Sequence, residues 1–276
     1  VQVHADLSAG IESSNLGGIT GQNEGFLEQT YYFGNINVKN HAEPSTTAAG
    51  GICGFQSGGF LYNSAVRAEI RTEIKNSYAG GICGIQNGGE IYKTASSGSL
   101  QAISPDQTSF SYTGGITGLS VSGLLVHSFS VMPVTTDAST GYTGGICGYN
   151  ESCNLQNTYA ANAVVQKETT GKSTQYAGGI CGINYGTITN NLSAAYAVYS
   201  DMYAGGISGA NIGGDVRSNV SASFLTQDLL TYRSGIITTN KEGGKTQNNF
   251  SYHLTRKNSK DVFSDENDID GESVSW

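Results

Sequence analysis

Proline, tryptophan and charge are all scarce in this chain. Its 276 residues include three prolines and one tryptophan, and 13% of them are charged. So little proline excludes a collagen-like strand or a proline-rich linker, even though glycine reaches 39 residues. No apolar run approaches the roughly 18–20 residues that a membrane-spanning helix needs, so no membrane insertion of this segment is expected. A net charge of −8 argues against nucleic acid and anionic membranes as partners. A P-loop, a dinucleotide fingerprint, an HExxH motif and a nucleophile elbow are also missing.

The residues that do chemistry are not clustered. His4, His41, His127 and His253 share no motif with one another. Acidic residues are scattered, and Glu69 and Glu73 sit beside Arg67 and Arg71 in what reads as a local ion-pair surface. Sugar-cleaving chemistry needs two converging carboxylates, and no second aligned acidic pair is supplied. The chain is therefore read as a non-enzyme with no catalytic, cofactor or metal residues. The acidic stretch Asp265–Glu272 raises a calcium reading, but it lacks the spacing of an EF-hand loop.

What the chain does have is a phrase repeated eight times. Gly-Gly-Ile recurs at Gly17–Ile19, Gly50–Ile52, Gly80–Ile82, Gly114–Ile116, Gly144–Ile146, Gly178–Ile180 and Gly205–Ile207, with a decayed copy at Ser234–Ile236. The spacings are 33, 30, 34, 30, 34, 27 and 29 residues. A Gly- or Asn-centred turn follows each copy, as at Asn87–Gly89 and Asn184–Gly186, and these residues accept positive φ. Two residues further stands an aliphatic position: Leu27, Leu61, Ile91, Leu125, Leu155, Ile188 and Val216, with Thr246 last. Four beyond it come Tyr31, Ala65, Ala95, Phe129, Tyr159, Leu192, Val220 and Phe250. Five beyond those come Ile36, Ile70, Leu100, Val134, Val164, Ala197, Leu225 and Thr255.

Steps of two within the motif indicate strands, and the step of five indicates a bend between two short strands. Three short strands in about 30 residues predict an all-β, right-handed parallel β-helix of about eight rungs, in which no rung buries its apolar residues alone. At about 4.8 Å per strand the body would be roughly 35–40 Å long. Residues 1–255 form the solenoid in this reading, and 256–276 form a C-terminal cap or an acidic linker.

Three further rows are in phase. Cys53, Cys83, Cys147 and Cys181 share a position with Thr20, Thr117, Ser208 and Ile237. They read as a row of small residues, with stacked disulfides between Cys53 and Cys83 and between Cys147 and Cys181 left open. Tyr78, Tyr112, Tyr142, Tyr176, Tyr203 and Tyr232 precede the isoleucine by four, which places them by parity on its face or at the strand's corner. Two readings follow: an aromatic stack capping the core, or a sugar-stacking strip if the rings face solvent. Asn191, Asn219 and Asn249 open Asn-x-Ser sequons at one repeat position, readable as surface glycosylation sites or as structural asparagines. The long segments Lys39–Ala48, Gln101–Ser111 and Gln166–Gln175 should emerge along one edge, where solenoids bind.

The copies resemble the GLUG-motif repeat family, built on Gly-aliphatic-x-Gly, Asn-x-Gly and an aliphatic residue. Gly179-Ile180-Cys181-Gly182 with Asn184-Tyr185-Gly186 and Ile188 carries the likeness most fully. Gly81-Ile82-Cys83-Gly84 with Asn87-Gly88-Gly89 and Gly18-Ile19-Thr20-Gly21 with Asn23-Glu24-Gly25 repeat it. The resemblance implies a secreted or cell-surface bacterial module, part of a larger multidomain protein, acting as an adhesin or stalk with a glycan or a surface protein as partner. It carries over no catalytic residue. Carbohydrate binding is the alternative reading, and a β-helix polysaccharide-degrading enzyme is the weaker one.

Overall fold

A computed structural model describes residues 1–10, 13–40, 46–104, 108–167, 174–225, 232–252, 264–265 and 271–274. The chain coils into an all-β parallel solenoid of about seven turns, each of about 30 residues. Its strands line up in three sheets of 8, 14 and 15 strands. One turn illustrates all of them. Asn76–Gly80 lies in the first sheet, Cys83–Tyr92 in the second and Ala95–Ile103 in the third, and Phe110–Gly114 then returns to the first. The register is strict: Tyr78 pairs with Tyr112, Gly80 with Gly114, Ile91 with Leu125 and Leu100 with Val134.

The corner between the first and second sheets requires glycine on steric grounds. A Cβ on Gly144 would lie 1.9 Å from the Cys147 carbonyl oxygen, and one on Gly145 would lie 2.1 Å from that of Gly179. The obstructing atoms are backbone and cannot rotate away. At this corner the isoleucines stack. Ile52, Ile82, Ile116, Ile146, Ile180, Ile207 and Ile236 are fully buried, and Ile19 at the first turn is partly so. Their amides run as one chain of hydrogen bonds, with Ile116 N–H donating to Ile146 O at 2.8 Å and Ile146 N–H to Ile180 O at 2.9 Å. The second column, Leu61 through Val216, is fully buried as well.

Two columns differ from expectation. Tyr31, Phe129, Tyr159, Leu192 and Val220 are exposed on the third sheet, and the interior positions are the next residues, Tyr32, Val66, Ser96, Ser130 and Ala160. The reason is a second corner just before them, between Leu27 and Tyr31 in the first turn. There every turn places one residue in the left-handed region: Gln29, Asn63, Lys93, His127, Asn157, Asn190, Ser218 and Asn248, with φ from 50° to 57°. The reversal shifts the inside–outside parity by one. In the following column Val198, not Ala197, pairs with Val164 and is buried. Thr255 lies outside the described residues.

Buried polar ladders hold the corners. Next to the left-handed residue, Thr30, Ser64, Thr94, Ser128, Thr158, Asn191, Asn219 and Asn249 form one row, all buried. Thr94 N–H donates to Ser128 Oγ at 3.1 Å, Thr158 N–H to Asn191 Oδ1 at 2.7 Å, and Asn191 N–H to Asn219 Oδ1 at 2.9 Å. The three sequon asparagines are therefore interior structural groups, and their amide nitrogens are not accessible in the folded chain. A second ladder runs through Asn150, Asn184, Asn211 and Asn240, joined side chain to side chain at 2.7, 2.8 and 3.0 Å.

Near the C-terminus, Gly271–Val274 pairs in parallel with Phe250–Tyr252 and antiparallel with Ser264–Asp265. The boundary after Thr255 and the side chains of the acidic stretch lie outside the described residues.

Candidate functional site

The shared-position cysteines point inward. Cys53 is in register with Cys83, and Cys147 with Cys181. All five thiols are free and buried. Burial pushes the Cys153 thiol up and the Cys83 and Cys181 thiols well above the ordinary range, so these groups resist ionisation and are poor nucleophiles. Among the described residues no group of three His, Cys, Asp or Glu side chains is placed to hold a metal ion.

The tyrosine row lies outside, not on the isoleucine's face. The Gly-Gly corner intervenes between Tyr78 and Ile82, so a count of four no longer preserves the side. Ser77 and Ala79 are buried while Tyr78 is half-exposed. The rings form a continuous stripe, Tyr78–Tyr112 at 5.4 Å, Tyr112–Tyr142 at 4.9 Å, Tyr142–Tyr176 at 6.0 Å and Tyr176–Tyr203 at 4.7 Å between centroids, in which Tyr176 is buried against Ile183 and Ala210. Tyr149 of the second sheet stacks on Tyr112 at 5.0 Å. Burial raises the Tyr78, Tyr112, Tyr142 and Tyr176 phenols above their ordinary value. Sugar stacking uses a free ring face, and here neighbouring rings cover those faces. The Tyr232 side chain lies outside the described residues.

The third sheet carries a different feature. Its outer surface is hollowed over the first turns into a cleft of about 450 Å³ lined by His4, Phe33, Gly34, Asn35, Arg67, Ala68, Glu69 and Gly98. Beside it lies an apolar hollow of about 220 Å³ bounded by Phe33, Ala65, Ala95 and Phe129. Each arises from small residues at one repeat position: Gly34, Ala68 and Gly98, in register, floor the cleft, and alanines open the hollow. The column of Tyr31, Phe129 and Tyr159 carries alanine at Ala65 and Ala95, which leaves a gap two turns wide. Gly98 on the cleft floor cannot be larger: a Cβ there, at φ +104°, would lie 2.0 Å from the Ala68 carbonyl oxygen.

The charges behave differently along the strand Ala65–Ile74. Glu73 accepts from Arg71 Nε at 2.7 Å and faces Lys39 Nζ at 3.0 Å, and these cations hold its carboxyl below the usual range, Lys39 foremost. Arg67 and Glu69, expected in the same ion-pair surface, are exposed and form no ion pair among the described residues. They line the cleft. His4 stacks on Phe33 with centroids 4.8 Å apart and planes 11° from parallel. His127 is a corner residue packed edge-on against Tyr92, and His41 and His253 lie outside the described residues.

Farther along the same sheet, Phe129, Val131, Tyr159, Leu192, Val220, Tyr196 and Phe224 leave an exposed apolar face. The long inter-turn segments all join the third sheet to the first, between Asn40 and Thr46, Ile103 and Phe110, and Lys167 and Gln175, so their described ends lie along one edge. The middles of these segments are outside the described residues.

The cleft is not legible in the charge pattern because Arg67 and Glu69 alternate in phase with Arg71 and Glu73, and spacing alone does not tell a paired charge from one that lines a cleft. The row Gly34, Ala68 and Gly98, small at one repeat position on the cleft floor, is the signal in the sequence that points to it.

Together these features define a parallel β-solenoid repeat module. No protein-family model matches the chain, and neither a curated protein nor a solved structure matches it.

Proposed function

We propose that this chain is a non-catalytic extracellular repeat module that serves in surface adhesion or as a structural stalk of a larger bacterial protein. The observation that carries this reading is the continuity of the interior. Each isoleucine, each second-column aliphatic residue and each ladder asparagine is shared with the next turn, which suits a stiff, extendable body with side surfaces free for contact. The likeness of the repeats to GLUG motifs supports a secreted or cell-surface setting, and the three long segments all connect the third sheet to the first. The cleft presents one carboxylate, Glu69, in place of the pair that glycoside hydrolysis uses, which favours binding over cleavage.

The reading is tested with beads that carry the chain, washed under flow over host-cell, matrix-protein and glycan surfaces, alongside single-molecule pulling. Retention above bare beads, lost on replacing the three long segments or the cleft residues, supports adhesion. No retention with high mechanical resistance supports the stalk alone. No retention with unfolding at low force removes both. Carbohydrate recognition is the second reading, favoured by the cleft on the third sheet and not by the tyrosine stripe.

A further inference from the structure

We infer that the third-sheet cleft is a saccharide subsite, taking a sugar ring whose apolar face lies on Phe33 and whose adjacent hydroxyls are read by Arg67 and Glu69. This deepens the adhesive reading and rests on it for its biological setting, though not for its chemistry.

Phe33 has one ring face covered by His4. Among the described residues no other ring and no cation stacks on it, and it lines both the cleft and the hollow beside its register partner Arg67. An aromatic ring held rigidly from behind is the platform that the C–H face of a pyranose needs, and it loses little entropy on binding. Arg67 offers only donors and Glu69 only acceptors, from the same strand two residues apart. Among the described residues neither has an ion-pair partner, whereas the next such pair, Arg71 and Glu73, is joined. A vicinal diol both accepts and donates, so it satisfies the two together.

Other occupants fit less well. A peptide strand cannot add here, because the strand carrying Arg67 and Glu69 already pairs on both sides, with Tyr31–Asn40 and with Ala95–Ile103. An anion would meet Glu69 beside Arg67. A wholly apolar ligand would desolvate both charges without pairing them. The neighbouring hollow between Phe33 and Phe129, with Ala65 and Ala95 at its base, extends the site so that a second sugar ring of the same glycan can follow.

The test is a printed array of neutral and acidic oligosaccharides, followed by titration calorimetry with the strongest binder. The variants are Phe33→Ala, Arg67→Ala and Glu69→Gln, each checked for an unchanged melt. Phe60→Ala, in the exposed aromatic cluster of the second sheet, is the control. Phe33→Ala should weaken binding at least tenfold, and Arg67→Ala and Glu69→Gln several-fold each, while Phe60→Ala should leave it unchanged. Arg67 and Glu69 are exposed, so their variants remain informative even if Phe33→Ala lowers stability. The inference is overturned if no oligosaccharide binds, if the exposed-charge variants bind as the parent does, or if Phe60→Ala alone abolishes binding. Beads that adhere while the array stays blank would remove the saccharide subsite and leave adhesion standing. Glycan binding without bead retention would do the reverse.

Discussion

Asn219 is the position where a single truncation should cost most for its size. Its Oδ1 accepts from the Asn191 amide at 2.9 Å and from Asn191 Nδ2 at 3.1 Å, and its Nδ2 donates to Ile188 O and Asn249 Oδ1, both at 3.0 Å. In Asn219→Ala, Asn191 Nδ2 keeps Leu155 O and Asn249 Oδ1 keeps the Asn219 amide. The Asn191 N–H keeps nothing and is buried. An orphaned buried donor costs about 1–3 kcal/mol, and each of the three other lost bonds about 1 kcal/mol, so the total is about 4–6 kcal/mol. The same row supplies a graded control. At Ser64 and Ser128 a hydroxyl accepts the preceding amide at 3.1 Å. Asn219→Ser should therefore rescue the orphan and cost only about 1–2 kcal/mol. Urea midpoints at constant slope, with far-ultraviolet circular dichroism and tyrosine fluorescence coinciding, would measure both values, because repeat arrays can lose cooperativity. If alanine and serine destabilise equally, or if alanine costs under about 1 kcal/mol, the ladder does not hold the corner as described.

Three further outcomes follow from the same geometry. Gly144→Ala should prevent folding or destabilise by several kcal/mol, since the new Cβ meets backbone oxygen; a soluble variant with an unchanged melt would refute the steric account of the motif. Because the five thiols are buried and three are pushed up by burial, they should stay unlabelled by a disulfide reagent in the native chain and react in denaturant; fast native labelling would show that the row is open. The outer tyrosines have folded values raised above 10.0 by burial, so their contribution to stability is complete below about pH 10 and erodes as pH rises beyond it, when the unfolded chain ionises first. Melts across that range, with absorbance titration of the phenols, would check this, and a stability that is flat above pH 10 would contradict it.

Much of the coil was legible without coordinates, because periodicity in a sequence is periodicity in space when each turn must borrow its neighbour's apolar residues. The isoleucine column, the second aliphatic column and the inward row of Cys53, Cys83, Cys147 and Cys181 all belong to that category. Columns separated from the motif by a corner were misassigned. Tyr78 and Tyr31 were each counted across a point where the chain reverses its parity, at the Gly-Gly corner and at the left-handed residue. Asn63, Asn157, Asn190 and Asn248 at one position were a local sign of the second corner, but four other residue types at that position hid it.

The sequence by itself determined that the chain coils, how often, and which residues recur inside, since those depend on composition at a fixed repeat. Only the tertiary structure decided which side of each corner a residue faces, that the sequon asparagines are interior hydrogen-bond carriers, and that Gly34, Ala68 and Gly98 floor a cleft that Arg67 and Glu69 line. Those outcomes depend on backbone reversals of a few degrees of freedom and on contacts between residues some 30 positions apart, which no single repeat encodes.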